Sequence, residues 1–251
     1  MEAQKGNAVI QGSCNDAAVA RRLILWDVDG TLVSSGPPGR LALETAAGVV
    51  AGLQAVPRVT MSGKADPQVI AEILAIAGVA SEEIARMMPA ALEEAERALA
   101  SSEVLLKRDG FVQPGVSELL VRLGATNGVR QTLVTGNVAA NARLKVSVFR
   151  LDRVFDFAVG AYGTDHADRD CLVPISLGRV RDVRGETYLP EEVWVIGDTL
   201  HDLSCAKAAG VRCLIVGTGR DGFESVRDLD ADAVVESLAD VDRILKTLLA
   251  S

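Results

Sequence analysis

Polar side chains that could bind a cation or a phosphate follow three apolar runs of the chain. The runs are LILW, QTLV and VWVI, and each leads into a stretch that contains glycine. The side chains are those of Asp27, Asp29, Thr31, Thr135, Asn137, Asp198 and Asp202. Ligands of parallel α/β sheets bind outside the carboxyl ends of the strands, so three neighbouring strands would bring these groups to one small site.

Three of these carboxylates, those of Asp27, Asp29 and Asp198, would repel one another without a cation. Oxygen ligands from a few carboxylates, completed by waters, are typical of magnesium. A cation would keep Asp27 ionised and offset the charge of an incoming phosphate. Asp27 could then act as a nucleophile and form an aspartyl-phosphate. The pattern therefore predicts Mg²⁺ as the cofactor.

The other groups at the three turns are typical of a phosphate site. A phosphoryl group needs in-line positioning and hydrogen-bond donors on its oxygens. The hydroxyl of Thr135 and the amide of Asn137 could be such donors. The backbone N–H groups around Gly30 and Gly136 could be others. Asp29, close to another carboxylate, is expected to be partly protonated and to donate a proton to the leaving oxygen.

Short apolar runs and helical segments alternate after residue 111, which favours an α/β fold with a parallel sheet. The predicted strands are 22–26, 131–134, 193–196, 212–216 and 233–235, with 157–159 as a weaker candidate. The chain is predicted to close with an amphipathic helix at 238–249. The core is therefore predicted to be Rossmann-like.

The region between the first two core strands has a different character. It shows no strand pattern, and segments rich in alanine, leucine and glutamate at 67–77 and 81–100 have helical spacing. Turn-like stretches, SSGPPG and KRDGFVQPG, flank it. The predicted division is an N-terminal tail (1–21), a catalytic core (22–35 and 110–251) and an inserted all-helical cap domain (36–109) that could cover the DVDGT turn.

The composition is that of an acidic globular protein. Hydrophobic residues make up 49% of the 251 residues, and the formal net charge is −8. Such a charge argues against nucleic acid and anionic membranes as partners, although a locally positive pocket can still bind a small phosphorylated metabolite. Residues 1–20 lack the pattern of a secretory signal, no apolar run reaches the length of a membrane span, and the four cysteines have no paired spacing. We expect a cytoplasmic monomer or homodimer with reduced cysteines.

At these motifs the sequence resembles the phosphatase branch of the haloacid dehalogenase-like hydrolase superfamily. The first motif is matched by DVDGTL at 27–32, the second by Thr135 and the last by GDTLHD at 197–202. The resemblance implies a Rossmann-like core with a mobile helical cap. It implies that Asp27 is the nucleophile and Asp29 the general acid/base. It also implies Mg²⁺ held by Asp27, the backbone carbonyl of Asp29 and Asp198, while Asp202 orients a metal-bound water or the basic residue.

The third motif of that family is usually a lysine near a proline-rich turn, and here the sequence departs from the pattern. Residues 160–192 contain no lysine. The best match is Arg169, which could bind a phosphoryl oxygen, although a planar guanidinium is not equivalent to an ammonium. A surface ion pair is the alternative role for Arg169, and Arg179 and Arg181 are the other candidates.

The cap stretch SGKADPQ at 62–68 resembles the substrate-facing turn of phosphoglycolate-phosphatase-like members. Asp66 and Pro67 are in any case typical of a helix start. Lys64 could reach an anionic end of the substrate, or it could lie in solvent.

The functional prediction is a Mg²⁺-dependent phosphatase of a small phosphorylated metabolite. Haloacid dehalogenation is disfavoured, because those members lack the second aspartate that Asp29 provides. A phosphonoacetaldehyde-hydrolase-like enzyme, with a Schiff base on Lys64, remains an alternative. So do a sugar-phosphate-mutase-like enzyme and a non-catalytic binding protein that keeps the fold.

Overall fold

Strands and helices alternate along most of the chain, and the computed structural model describes them for residues 21–166 and 168–250. The strands are β1 (Arg22–Trp26), β2 (Val33–Ser34), β3 (Phe111–Val112), β4 (Val129–Thr135), β5 (Ala161–Tyr162), β6 (Val193–Gly197), β7 (Arg212–Val216) and β8 (Ala233–Val235). The α-helices are α1 (Gly36–Ala51), α2 (Asp66–Ile76), α3 (Ser81–Ser101), α4 (Glu103–Asp109), α5 (Val116–Gly124), α6 (Ala139–Val148), α7 (Leu172–Arg184), α8 (Leu200–Ala209) and α9 (Val241–Leu249).

Six parallel strands form the main sheet, in the spatial order β5-β4-β1-β6-β7-β8. All residues of β1 are buried. Successive side chains of a strand point to opposite faces, so Leu23 and Leu25 join one hydrophobic cluster while Ile24 and Trp26 join another. Residues of α5 and α9 belong to one of these clusters and residues of α7 and α8 to the other. Helices therefore cover both faces, which explains the almost wholly apolar β1.

The helices α1 to α4 lie between β2 and β3 in the chain. β2 and β3 pair antiparallel, with Val33 opposite Val112, so the chain leaves the core and returns to it side by side. The first three of these helices share a hydrophobic cluster that includes Leu43, Ile70 and Ala91. The predicted fold class, an α/β Rossmann-like core with an inserted helical cap, is confirmed. The predicted domain limits remain a proposal, and residues 1–20 of the predicted tail lie outside the described residues.

The weaker strand prediction, at 157–159, is wrong. Phe157–Val159 is a 3-10 helix, because the N–H of Val159 donates back to the carbonyl of Asp156 at 3.2 Å instead of to a strand. The edge strand β5 begins just after Gly160. A Cβ on that glycine would lie 2.9 Å from the carbonyl oxygen of Leu133, so the missing side chain permits the close approach to β4.

The helix ends differ from the predictions by up to three residues. In the cap, α2 and α3 each begin within one residue of the predicted position. α9 begins at Val241 and not at 238, because the side chain of Asp240 accepts a hydrogen bond from the N–H of Arg243 at 3.2 Å and caps the helix there.

Two further predictions concern the chain as a whole. Within residues 21–166 and 168–250, every helix is too short or too polar to cross a membrane. In the same part of the chain Cys171, Cys205 and Cys213 are free thiols. Cys14 lies outside the described residues.

Candidate active site

The ends of β1, β4 and β6 form one edge of the sheet, and the three polar turns meet there. Trp26, the last residue of β1, pairs with Leu133 on one side and with Ile196 on the other. Asp27 follows directly. On each neighbouring strand, the first polar residue of the turn lies two positions after the residue that pairs with Trp26. The register therefore sets the three turns level with one another.

Asp27 lies at the centre of this edge and is buried. Its Oδ1 is 3.3 Å from Nη2 of Arg169, and it also shares a hydrogen bond with the hydroxyl of Thr135. Burial, followed by the charge of Asp202, raises the pKa of Asp27 to about 7 against the opposing charge of Arg169. More positive charge is therefore needed to keep Asp27 fully ionised at neutral pH.

Asp198 stands beside Asp27 in a narrow space. The hydroxyl of Thr31 donates to its Oδ1 at 3.2 Å. Gly30 has a φ of +88°, and a Cβ there would lie 2.3 Å from Oδ2 of Asp198, so this turn requires glycine for two reasons. Burial, and then the charge of Asp27, raises the pKa of Asp198 to about 9.

The carboxylates of this site fit a divalent cation. One oxygen from each of Asp27, Asp198 and Asp202 lies within 4.8 Å of the others, and all three residues are buried. Anions this close are unfavourable without a counter-charge. A cluster of hard oxygen donors is what Mg²⁺ prefers.

Asp202 has both of its carboxylate oxygens engaged. Oδ1 accepts from Nη2 of Arg169 at 2.5 Å. Oδ2 accepts from the hydroxyl of Thr199 at 2.7 Å and from its N–H at 3.0 Å, in a capping box at the start of α8. Asp27 and Asp198 are therefore the members of the cluster best able to hold a cation.

Arg169 brings positive charge to Asp27. It is only 7% exposed and belongs to the 3-10 turn that precedes α7. Besides its contacts to Asp27 and Asp202, it donates through Nη1 to the carbonyl oxygen of Gly63, in the cap, at 3.0 Å. The alternative of a surface ion pair for Arg169 is wrong, because its partners are buried carboxylates of the site.

The other two arginine candidates lie elsewhere. Arg179 pairs with Asp165 at 2.7 Å. The side chain of Arg181 is 64% exposed and pairs with the neighbouring Asp182. Neither residue reaches the carboxylates at the strand ends.

Lys145 is a second cation at the site, and the sequence reasoning missed it. Its Nζ lies 2.5 Å from Oδ2 of Asp29 and 2.5 Å from Oδ1 of Asn137, and the residue is buried. The sequence spacing could have indicated that Lys145 is buried. Lys145 follows the buried Ala142 by three residues and therefore lies on the same side of α6. A lysine in such a position needs a carboxylate partner.

The carboxylate of Asp29 is surrounded by donors. Besides Lys145, the amide of Asn137 donates to Oδ2 at 2.9 Å and the hydroxyl of Ser35 donates to Oδ1. Burial alone would raise the pKa of Asp29, but the charge of Lys145 and these hydrogen bonds outweigh it and lower the pKa. The expectation that a neighbouring carboxylate keeps Asp29 partly protonated is therefore wrong in this arrangement.

The cap touches the core near Gly136. The N–H of Asp66 donates to the carbonyl of Gly136 at 2.8 Å, and Oδ2 of Asp66 accepts from the N–H of Val138 at 2.9 Å. A Cβ on Gly136 would lie 2.7 Å from the carbonyl oxygen of Lys64, so glycine allows this approach. The side chain of Lys64 forms an ion pair with Glu72 of α2.

A cavity of about 690 Å³ lies between the cap and the core. Every residue predicted as catalytic or substrate-binding lines it, and so does the predicted metal ligand Asp198. Lys145 lines it as well. The cavity is large enough for a small phosphorylated compound.

Removing one buried carboxylate is expected to stabilise the metal-free protein. The pKa of Asp198 is raised on folding, so the unfolded chain releases that proton at a lower pH than the folded one. The contribution of Asp198 to the free energy of unfolding is fully present below about pH 4 and is lost as the pH rises towards 9. In EDTA, Asp198→Asn should exceed the wild type by on the order of 2 kcal/mol in unfolding free energy at pH 8. The difference should shrink at pH 5, as measured by urea unfolding.

The control for this experiment is Asp228→Asn, whose side chain is 88% exposed. It should show the pH dependence of the wild type. Added Mg²⁺ should stabilise the wild type and leave Asp198→Asn unchanged. If the unfolding free energies of Asp198→Asn and the wild type depend on pH in the same way, burial and repulsion by Asp27 do not destabilise the charged form of Asp198.

Comparison with known proteins identifies the family. Residues 24–207 match the sequence model of the haloacid dehalogenase-like hydrolases. Phosphoglycolate phosphatase 1 of Pseudomonas aeruginosa is 28% identical over 226 residues, which span 88% of this chain and 78% of that protein. The match covers most of the chain, so the chain belongs to the haloacid dehalogenase-like hydrolase family. Within that family it is a hydrolase of the phosphatase type, as the motifs predict.

Solved structures share the fold. CbbY from Rhodobacter sphaeroides, solved in complex with phosphate, has a TM-score of 0.62 and 22% identity over 88% of this chain and 96% of that one. The β-phosphoglucomutase of Clostridium difficile has a TM-score of 0.66 and 18% identity over 91% of this chain and 96% of that one. At these identities the likeness is evidence for the fold alone.

Proposed function

We propose that the protein is a Mg²⁺-dependent phosphatase that hydrolyses a small phosphorylated metabolite through an aspartyl-phosphate on Asp27. The observation that carries the proposal is the position of Asp27. It is a buried carboxylate at the centre of the strand ends, it lies close to Asp198 and contacts Arg169, and it lines the cavity. Asp27, the backbone carbonyl of Asp29 and Asp198 would hold Mg²⁺, whose charge would offset that of the carboxylates and the phosphate.

The chemistry divides into two displacements at phosphorus. An oxygen of Asp27 attacks the phosphoryl group, and the bond from phosphorus to the ester oxygen breaks. Asp29 gives its proton to that oxygen. A water then attacks the phosphorus and loses a proton to Asp29. The bond from phosphorus to the oxygen of Asp27 breaks, which releases inorganic phosphate and restores the carboxylate. The charge of the bound phosphate raises the pKa of Asp29, which favours its protonated form before the first step.

Donors from the chain would bind the phosphoryl oxygens. Arg169 already contacts Asp27 and brings a full positive charge to the place where the phosphoryl group would sit. Thr135 and the amide of Asn137 lie on the same side of the cavity as Asp29. Arg169 and Thr135 are fixed by the core, so they would need little rearrangement when charge develops on the oxygens. The amide of Asn137 would have to release Asp29 or Thr135 before it could donate to a phosphoryl oxygen.

The substrate is expected to be a compact phosphate ester, because it must fit under the cap in the cavity. The name of the Pseudomonas aeruginosa relative makes 2-phosphoglycolate the first compound to test. The ion pair of Lys64 with Glu72 argues against the Schiff-base alternative, which needs a free amine at Lys64. The cytoplasmic location and the monomer or homodimer state remain predictions.

The test is an assay with p-nitrophenyl phosphate and a panel of small phosphate esters, with and without Mg²⁺ and with EDTA. We expect hydrolysis that depends on Mg²⁺, is lost in EDTA and is restored by adding the metal back. Asp27→Asn, prepared in the same way, measures the background from contaminating phosphatases. Turnover without a divalent metal, or turnover in Asp27→Asn equal to that of the wild type, would contradict the proposal.

A further inference from the structure

Lys145 contacts the proposed acid/base and not the nucleophile. Its Nζ lies 2.5 Å from Oδ2 of Asp29 and 2.5 Å from Oδ1 of Asn137. The side chain of Lys145 is 6% exposed, whereas that of Asp29 is 41% exposed. Lys145 is therefore much more buried than the carboxylate that it contacts, although both residues line the cavity.

Asn137 joins Asp29 to Thr135 at the end of β4. The amide nitrogen of Asn137 donates both to Oδ2 of Asp29 and to the hydroxyl oxygen of Thr135, each at 2.9 Å. Lys145 in turn binds the amide oxygen of Asn137. This contact fixes which end of the amide faces Asp29, because an ammonium only donates and must meet the oxygen. One buried ammonium thus contacts both Asp29 and Asn137, two groups that line the cavity.

We propose that Lys145 is a positioning residue that holds the carboxyl group of Asp29 against the leaving oxygen, directly and through Asn137. The inference rests on the proposed function, in which Asp29 gives a proton to that oxygen as the bond to phosphorus breaks. Without Lys145, Asp29 keeps the Ser35 and Asn137 contacts but loses its charged partner, and the Asn137 amide loses the contact that fixes its orientation.

The leaving group provides a test that a merely structural role would not meet. Phenyl phosphate and p-nitrophenyl phosphate have nearly the same shape. The phenolate of the first is the stronger base and needs the proton more. A badly placed Asp29 should therefore slow phenyl phosphate much more than p-nitrophenyl phosphate.

The quantity to compare is kcat/KM, because it includes steps only up to the breaking of the ester bond and excludes hydrolysis of the intermediate. In Lys145→Met we expect kcat/KM for phenyl phosphate to fall about 100-fold, and that for p-nitrophenyl phosphate less than about 10-fold. The ratio of the two values cancels the fraction of active protein, so partial misfolding cannot imitate the result. Lys145→Arg keeps the charge and should lie between the wild type and Lys145→Met.

Three further variants complete the design. Asp29→Asn should show the same selective loss, and Asp29→Asn with Lys145→Met should show little additional selectivity, because both changes act on one proton transfer. The matched control is Lys207→Met, since Lys207, on α8, forms an exposed ion pair with Asp230. It should leave both substrates unchanged.

An equal fall of kcat/KM for the two substrates in Lys145→Met and Lys145→Arg would overturn the inference and assign Lys145 to folding or to the phosphate itself. Additive selectivity in the double variant would overturn it as well. Failure of the proposed function gives a different result, which is no Mg²⁺-dependent hydrolysis of either ester by the wild type.

Discussion

Asp27→Asn is expected to remove phosphatase turnover, with a loss of at least about 10⁴-fold in kcat. An amide oxygen at this position cannot attack phosphorus as the carboxylate does. The other carboxylates cannot replace it. Asp202 is held by Arg169 and Thr199. Asp198 is confined beside Gly30 and receives a hydrogen bond from Thr31. The measurement is kcat for p-nitrophenyl phosphate in Mg²⁺.

The variant should remain folded, because an asparagine oxygen can still accept from Arg169 and the substitution removes one buried negative charge. Urea unfolding in EDTA should show a stability no lower than that of the wild type. Mass spectrometry of the preparation controls for deamidation, which would restore Asp27 in a small fraction of molecules. Turnover above about one-hundredth of the wild-type rate, without detectable deamidation, would contradict a nucleophilic Asp27.

The strand ends were predictable because local sequence determines them. A run of apolar residues that stops at aspartate and glycine describes both a buried strand and the turn that follows it, as in Trp26, Asp27 and Gly30. The predictions at β1, β4 and β6 needed no knowledge of distant contacts. Phe157–Val159 was predicted wrongly for the same reason. Its composition is that of a strand, but the pairing that makes a strand depends on the backbone of β4, which a local pattern does not contain.

The two cations of the site show where local reasoning ends. Arg169 was found because the family pattern requires a basic residue in a known interval, and the chain offers few. Lys145 was missed because a lysine in a helix is ordinarily solvated. Only the packing of α6 against the core brings its ammonium to Asp29. The prediction that Asp29 is partly protonated was wrong for the same reason. A pKa depends on every neighbouring charge, and the charge of Lys145 was not predicted.

Arg169 joins three parts of the site that the sequence treats as separate. One nitrogen of its guanidinium contacts Asp27 and Asp202, and the other donates to the carbonyl of Gly63 in the cap. An ammonium is a single centre on a flexible stem and cannot make the same set of contacts. The arginine in place of the family's usual lysine therefore adds a hydrogen bond to the cap from the same side chain that contacts Asp27.

Arg169→Ala is expected to lower kcat/KM by about 10³-fold, because Arg169 is the cation proposed to bind the phosphate. The loss also leaves Asp27 and Asp202 buried without their partner, which raises the pKa of Asp27 further and shifts the activity profile to higher pH. Arg169→Lys should recover most of kcat, because the charge returns to the site. It should keep a raised KM, because the hydrogen bond to Gly63 is missing. The measurement is kcat and KM for p-nitrophenyl phosphate from pH 5.5 to 9 in Mg²⁺.

Arg181→Ala is the matched control, because Arg181 was one of the other candidates from the sequence and its exposed side chain pairs with Asp182. It should change kcat/KM by less than about 2-fold. A similar loss in Arg181→Ala and Arg169→Ala would mean that the effect is general to the fold. Full recovery of both kcat and KM in Arg169→Lys would leave the charge of Arg169 as its whole contribution and would remove the link to the cap from the mechanism.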